Sequence, residues 1–309
     1  MESQRPFETA ILKEKQEKFS NMKLSESLQW IVIYANHLAC EVKLLRSYAG
    51  VYAEEVSNLL SDETLNRYTG LAFSLRFPYH NYKEVKGKEI KYPLDAVEQG
   101  FLVQSWSTLG SFLESTLQIF LSIYYHDYIK SNWNVWDEES IQQINDLLTG
   151  DFKNLLDTLV KENEKNGRKG LNNTIKKSYI KKSKEIVKQK SELPKIHRIT
   201  LSDLLQFYFS EDVISKEDFS QDELEKIRDY RNSIHAFQKR DIGTWDELNE
   251  YLKLVLMLVI EIIHRLPMLP DEIPIDGEFF QEKTALLMKE QEWFKYQMMM
   301  YVDEDKLKE

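Results

Sequence analysis

The sequence predicts an all-α protein built around a helical bundle. Apolar residues recur at steps of three and four along nearly all of the 309 residues, which is the spacing of one face of an α-helix. The 10 glycines and 7 prolines are too few for the frequent tight turns of an all-β protein. No basic segment followed by an apolar run opens the sequence, and no apolar stretch reaches membrane-spanning length. We therefore expect a cytoplasmic protein without membrane contact.

Charge is distributed unevenly along the chain. The 41 Lys and Arg residues against 51 Asp and Glu residues give a net charge of −10, but residues 161–198 hold thirteen Lys and Arg and only four Glu. This basic segment is either a solvated connector or a track that binds a polyanion such as RNA. In the second case, phosphate contacts are expected from Lys176, Lys177, Lys181 and Lys182. The single cysteine excludes an internal disulfide framework.

Three helices are predicted in the N-terminal part. The first follows the apolar residues from Trp30 to Leu45, the second covers Val51–Leu60, and the third follows Asp62. Between Phe77 and Leu94, prolines and a glycine interrupt the helical pattern, which predicts a loop or short hairpin and a domain boundary.

The most apolar helix is predicted at Gly100–Tyr125, and Glu114 is its only charged residue. A buried carboxylate is costly unless a cation or hydrogen-bond donors compensate it. Glu114 is therefore expected either on a solvent-facing stripe or opposite a cation inside the fold.

Four further helices are predicted after the basic segment. They are expected at Leu201–Phe209, from the capping box Ser220–Glu223 through Phe237, at Leu248–His264 after the capping box Thr244–Glu247, and at Glu278–Tyr301.

The segment before Phe237 combines the residue types that act on phosphate. Arg228, Arg231 and His235 are separated by three and four positions, so they share one face of a helix, and Asn232 lies beside that face. Arginine offers a fixed cationic fork to phosphate oxygens, and histidine transfers protons near neutral pH. An ordinary solvated stripe or a capped network is the alternative explanation of the same spacing.

This segment resembles the signature of the HEPN superfamily, in which an Arg is followed four to six residues later by a His. Arg228, with Asp229 directly after it and six residues between it and His235, fits that spacing. The segment Arg231–Phe237 resembles bacterial members from phage-defence and toxin operons. Leu109–Glu114 resembles the family's first helix, whose acidic residue often faces the Arg/His pair.

Two arginines are candidates for the signature position. The commoner arrangement places an Arg-Asn pair four residues before the His, whereas Arg231 and Asn232 leave only three residues between Arg231 and His235. The literal spacing is met by Arg228 instead, so both remain candidates.

The resemblance implies a metal-independent endoribonuclease that needs no cofactor. In such enzymes the RNA 2′-hydroxyl attacks the adjacent phosphate, and a 2′,3′-cyclic phosphate is formed. The implied roles are proton transfer by His235, phosphate binding by Arg228 or Arg231, a hydrogen bond from Asn232, and support from Glu114 and Asp229. The expected substrate is tRNA or mRNA, and the expected setting is antiphage defence or abortive infection.

The resemblance also implies a symmetric homodimer with a composite site, controlled by a trigger or a regulatory protein. The expected organisation is an N-terminal helical segment at 1–94, a HEPN-like domain at 95–266 with the basic insert 161–198, and a C-terminal helical extension at 267–309. Two alternatives stay open. One is a non-catalytic module that binds nucleotide or RNA or scaffolds a partner, and the other is a subunit whose basic segment docks on an acidic protein.

Overall fold

The computed structural model describes residue 17 and residues 19–46, 54–88, 93–167, 170–232 and 241–267. Within these ranges all regular secondary structure is helical, which confirms the predicted all-α class. None of the helices described is long and apolar enough to cross a bilayer. The chain divides into two compact units. The first unit is discontinuous and consists of Met1–Tyr125 and Ile199–Glu309, and the second consists of the intervening residues His126–Arg198.

The helices are, in chain order, α1 (Leu24–Arg46), α2 (Glu54–Ser57), α3 (Asp62–Ser74), α4 (Arg76–Lys86), α5 (Leu94–Ile123), α6 (Tyr125–Ser131), α7 (Glu138–Thr149), α8 (Asp151–Lys165), α9 (Asn173–Lys190), the 3₁₀ turn Ile196–Arg198, α10 (Leu201–Ser210), α11 (Gln221–Arg231) and α12 (Trp245–His264).

Helix α5 is the centre of the first unit and corresponds to the predicted helix Gly100–Tyr125. It packs against α3, α4, α10, α11 and α12. Because it is surrounded on most sides, its large apolar residues are fully buried, among them Trp106, Leu109, Phe112, Leu113 and Leu117. Each side chain of this size contributes roughly 1.5–3 kcal/mol when removed from water.

Polar groups buried near α5 are paired with one another. The Tyr208 hydroxyl donates to the carbonyl of Leu117 at 2.5 Å, and the Thr116 hydroxyl donates to the Tyr68 hydroxyl at 3.2 Å. Burial raises the pKa of both Tyr68 and Tyr208. These bonds hold α3 and α10 in register with α5.

Helix α12 closes the unit and begins where the sequence predicted. The Thr244 side chain accepts from the Glu247 N–H, and the Glu247 carboxylate accepts from the Thr244 N–H, which is the predicted capping box. Packed along α1 and against α5, α12 brings the N-terminal helix into the same unit. The predicted boundary near residue 94 therefore falls inside the first unit.

The prediction of a loop or hairpin at Phe77–Leu94 is wrong, because α4 covers Arg76–Lys86. Pro78 lies in the first turn of α4, where the N–H that proline lacks has no intrahelical acceptor. Gly87 then ends the helix as its C-cap. Both residues mark helix ends here, and neither breaks a helix in its middle.

Other expectations are met in part. The predicted helix Val51–Leu60 is described only as the short α2 followed by a turn. Ser220 is the N-cap residue of α11, but its side chain makes no capping hydrogen bond, so the capping box predicted there is wrong. The predicted C-terminal helix Glu278–Tyr301 lies outside the described residues.

The second unit consists mainly of α7, α8 and α9, which pack against one another around Leu148, Leu156, Val160 and Val187. Most of the basic segment 161–198 is therefore helix rather than solvated connector. The Asn172 side chain caps α9 by accepting from the N–H groups of Thr174 and Ile175, both at 3.0 Å. These two N–H groups in the first turn of α9 would otherwise have no hydrogen-bond acceptor within the helix.

Candidate active site

The polar residues selected from the sequence lie at the C-terminal end of α11, where this helix packs against α5 and α10. Arg228 and Arg231 belong to its last turn. Asn232 follows as the C-cap and keeps a right-handed helical conformation, with φ −73° and ψ −6°. Leu224 and Ile227 are fully buried and lie one to two turns before the arginines on the same side of α11, so the arginines extend from the end of its packed side.

Arg231 forms an ion pair with Glu114 of α5. The two side chains keep 33% and 21% of their exposure, so the pair is accessible to solvent. Glu114 therefore faces a cation, which is the second of the two positions expected for it. The pair joins α11 to the centre of the fold by a charge-assisted hydrogen bond.

Gly110 makes room for the Arg231 side chain one turn before Glu114. A Cβ at this position would lie 2.8 Å from Arg231 Cδ, closer than real Cβ atoms approach, and 3.0 Å from Arg231 Cβ, which is tighter than most real contacts. Any larger residue at this position would therefore force the Arg231 side chain to shift. The sequence showed a glycine within the helix but gave no sign of which side chain would use the space.

Tyr230 anchors α11 from the neighbouring position. Its ring stacks on the buried Trp106 ring with centroids 4.3 Å apart. Burial, and then the negative charges of Glu247 and Asp241, raise the pKa of Tyr230 to about 12. The phenol is therefore neutral at physiological pH, so it contributes packing and hydrogen bonding but no general base.

Arg228 binds other partners than Arg231. Its Nη1 donates to the Ser202 hydroxyl of α10 at 2.8 Å, and its Nη2 lies 3.0 Å from Asp229 Oδ1 and 3.5 Å from Glu225 Oε2. The Arg228 side chain keeps 29% of its exposure. Arg228 is thus directed toward α10 and Arg231 toward α5, although both lie on the same turn of α11.

The structure brings four of the predicted residues to one region of the first unit: Arg228, Asp229, Arg231 and Glu114. Asn232 follows them directly. His235 lies outside the described residues. Two partly exposed guanidinium groups on one helical turn are able to bind a phosphate, provided that it competes with the carboxylates that now neutralise them.

Two residues on either side of the segment that contains His235 contact Trp106. The Tyr230 ring stacks on the indole ring, and the carbonyl of Ile242 accepts from Trp106 Nε1 at 2.8 Å. These contacts were not foreseen, because an aromatic residue on an apolar helix carries no pattern that distinguishes an anchor from ordinary core.

The four lysines predicted to bind RNA lie on α9 of the second unit and differ from one another. Lys177, Lys181 and Lys182 are exposed. Lys176 keeps only 15% of its exposure, and its ammonium binds the Asp157 carboxylate of α8. Lys176 therefore stabilises the packing of α9 on α8 and is not an open cation for phosphate.

Among the residues that the structure describes, no three His, Cys, Asp or Glu side chains are grouped closely enough to hold a metal ion. Comparisons with protein-family models, with curated proteins and with solved structures found no match to this chain. What supports a function is therefore the geometry around Arg231 and the resemblance of its segment to the HEPN signature.

Proposed function

We propose that this protein is a metal-independent endoribonuclease of the HEPN type. Its substrate is tRNA or mRNA, and its biological role is that of a cytoplasmic toxin in antiphage defence. The observation that carries the proposal is the ion pair between Arg231 and Glu114. This ion pair joins α11, where the Arg/His segment begins, to α5, which resembles the first helix of the family. Glu114 is the acidic residue that the resemblance implies should face the Arg/His pair.

The reaction proceeds within the RNA strand. The 2′-oxygen forms a bond to the adjacent phosphorus, the bond from phosphorus to the 5′-oxygen breaks, and the products carry a 2′,3′-cyclic phosphate and a 5′-hydroxyl. The nucleophile is already next to the phosphorus, so the protein supplies charge and proton transfer rather than a metal-bound water.

The residues divide this work according to their chemistry. His235 takes the proton from the 2′-hydroxyl or gives one to the leaving 5′-oxygen. Arg231, oriented by Glu114, or Arg228, held by Ser202, binds the phosphate oxygens. Asn232 hydrogen-bonds the phosphate or His235, and Asp229 limits the movement of Arg228.

The site is composite in this proposal. Two copies of the chain place their Arg/His segments together across a two-fold axis, and each RNA phosphate is bound by residues of both. A trigger or a regulatory protein controls the pairing and thereby keeps the toxin inactive in uninfected cells.

One observation favours a second candidate, a non-catalytic module that binds nucleotide or RNA or scaffolds a partner. Both arginines already have carboxylate partners within the chain, Arg231 with Glu114 and Arg228 with Asp229 and Glu225. Such pairs are typical of networks that stabilise a helix interface. The two candidates differ in what the loss of His235 does.

The test compares wild-type protein with His235→Ala in cells, before and during phage infection. His197→Ala is the matched control, because His197 is an exposed histidine of the 3₁₀ turn in the second unit and lies outside the Arg/His segment. We expect growth arrest and RNA fragments with cyclic-phosphate ends in the wild type and the control, and neither in His235→Ala. Intact RNA and equal growth in all three strains, infected or not, would overturn the nuclease proposal.

A further inference from the structure

Helix α9 carries a row of four exposed lysines. Lys177, Lys181, Lys184 and Lys188 are all exposed, and they follow one another at steps of four, three and four residues. Residues with this spacing lie one above another on a helix. Their ammonium groups therefore recur once per turn, roughly every 5–6 Å along the helix axis.

The side chains of the row border a shallow groove on the surface of α9 itself, open to solvent and of about 440 Å³. Ile180 and Glu185 complete its lining. Glu185 is the one acid among these six residues, and its carboxylate lies 3.8 Å from the ammonium of Lys181 on a solvent-exposed flank. The groove thus has four positive charges against one negative charge, with the apolar stems of the lysines as its walls.

The row has a fixed orientation within the second unit. On α9, Val187 is buried and the Lys176 ammonium binds Asp157, so these residues mark the side that packs against α7 and α8. Lys177 and Lys188 each come one residue after this packed side, which places the row about 100° around the helix from it.

Exposed apolar residues lie on the opposite flank of α9. The exposed fractions are 39% for Ile175, 52% for Tyr179 and 51% for Ile186. Ile175 and Ile186 each come one residue before the packed side, and Tyr179 lies four residues after Ile175 on the same face. Lys182 falls on this flank too, since it follows Tyr179 by three residues. The side of α9 that carries the four lysines therefore has no large exposed apolar side chain.

This separation decides which polyanion fits. A helix that lies on a membrane surface buries its apolar side chains while lysines beside them bind the anionic headgroups. On α9 the two groups face nearly opposite directions, so one flat surface is unable to engage both. A single line of evenly spaced cations fits a linear polyanion, whose phosphates succeed one another along a strand.

We propose that Lys177, Lys181, Lys184 and Lys188 bind the phosphate backbone of a single RNA strand. The choice of RNA rests on the proposed ribonuclease function. The inference replaces the set of lysines expected from the sequence, because Lys176 is paired with Asp157 and Lys182 lies on the apolar flank. Lys184 and Lys188 take their places.

The test measures the binding of a fluorescent, unstructured single-stranded RNA to the full-length chain at several salt concentrations. All proteins carry His235→Ala, so that cleavage does not consume the probe. The row variant changes Lys177, Lys181, Lys184 and Lys188 to Gln. A control variant removes the same charge from four other exposed lysines of the second unit, Lys153, Lys161, Lys165 and Lys182.

We expect the row variant to lose more than roughly tenfold in affinity, and the slope of log K against log salt to fall by about 3, since each of four single-strand contacts contributes about 0.7. The control is expected to keep the wild-type slope. Equal losses in both variants would reduce the effect to net charge and overturn the inference. So would the absence of RNA binding together with row-dependent binding to polyglutamate or anionic vesicles.

The two proposals fail separately. Cleavage by the wild type, with unchanged RNA binding by the row variant, would overturn the proposed role of the lysine row but not the ribonuclease proposal. Row-dependent RNA binding without cleavage in cells would overturn the ribonuclease proposal and indicate a protein that only binds single strands.

Discussion

The guanidinium of Arg231 binds the carboxylate of Glu114 across two helices whose paired residues are 117 positions apart in the chain. The contact sets the register between α11 and α5, and Gly110 provides the space for it. Because both side chains keep part of their exposure, the pair is at once a structural link and a charge that a ligand is able to reach.

The first prediction concerns the energy of this pair. Glu114→Gln and Arg231→Gln are each expected to lower the free energy of unfolding, and the double variant to lose less than their sum, by about 1 kcal/mol. Urea unfolding of the four proteins measures this coupling. Strict additivity would mean that the two side chains do not stabilise each other in solution.

The second prediction concerns Gly110. Gly110→Ala gains helix propensity, but the added Cβ displaces the Arg231 side chain. Overpacking of this kind costs about 1–3 kcal/mol. We expect a net loss of stability of up to about 2 kcal/mol and loss of the proposed ribonuclease activity. Gly100→Ala on the same helix has open space around its Cβ and is expected to stabilise by about 1 kcal/mol. Thermal unfolding that showed equal stabilisation by both changes would contradict the close approach of Arg231.

The third prediction follows from the pKa of Tyr230, which lies at about 12. The folded protein holds the phenol proton more tightly than the unfolded chain, whose tyrosines titrate near pH 10. The stabilisation is therefore complete below pH 10 and is lost as the pH rises toward 12. Unfolding measured from pH 8 to 11.5 is expected to show a smaller decline in Tyr230→Phe than in the wild type. Identical slopes would mean that Tyr230 titrates normally.

The fourth prediction concerns the second unit. The hydrogen bond from Lys176 holds the pKa of Asp157 below its usual value of 3.8. This contribution to stability is present above the ordinary pKa and is lost as the pH falls through the lower folded value. We expect Lys176→Met to bring the pKa of Asp157 closer to normal, which carboxyl NMR shifts measure directly. Lys177→Met is the control, and an equal change in both variants would exclude a specific pair.

The sequence predicted the central helices well because burial dominates their composition. Helix α5 is almost without charge, and the capping box at Thr244 and Glu247 marks the start of α12. Helix α4 was missed since Pro78 and Gly87 were interpreted as breaks within a segment rather than as the ends of one helix.

The candidate site was predicted less completely than the fold. Glu114 was identified as a carboxylate in need of a cation, but its partner depends on which side chain fits over Gly110, and that contact joins distant positions. For the same reason the sequence could not distinguish Lys176, which faces Asp157, from Lys177 on the next position of the helix. Tertiary contacts, and not helical spacing, separate these neighbours.

The discontinuous first unit has a consequence for how the protein is made. Helix α1 packs on the nearby α3 and on the distant α12, so the part of its surface that contacts α12 stays uncovered until the chain from Arg46 through α12 has left the ribosome. At roughly 5–20 residues per second this takes about ten seconds or longer. The second unit is continuous, and the whole of it emerges before α10, α11 and α12 exist. Translation therefore completes the lysine-bearing unit while α5 has α3 and α4 as neighbours but not yet α10, α11 and α12.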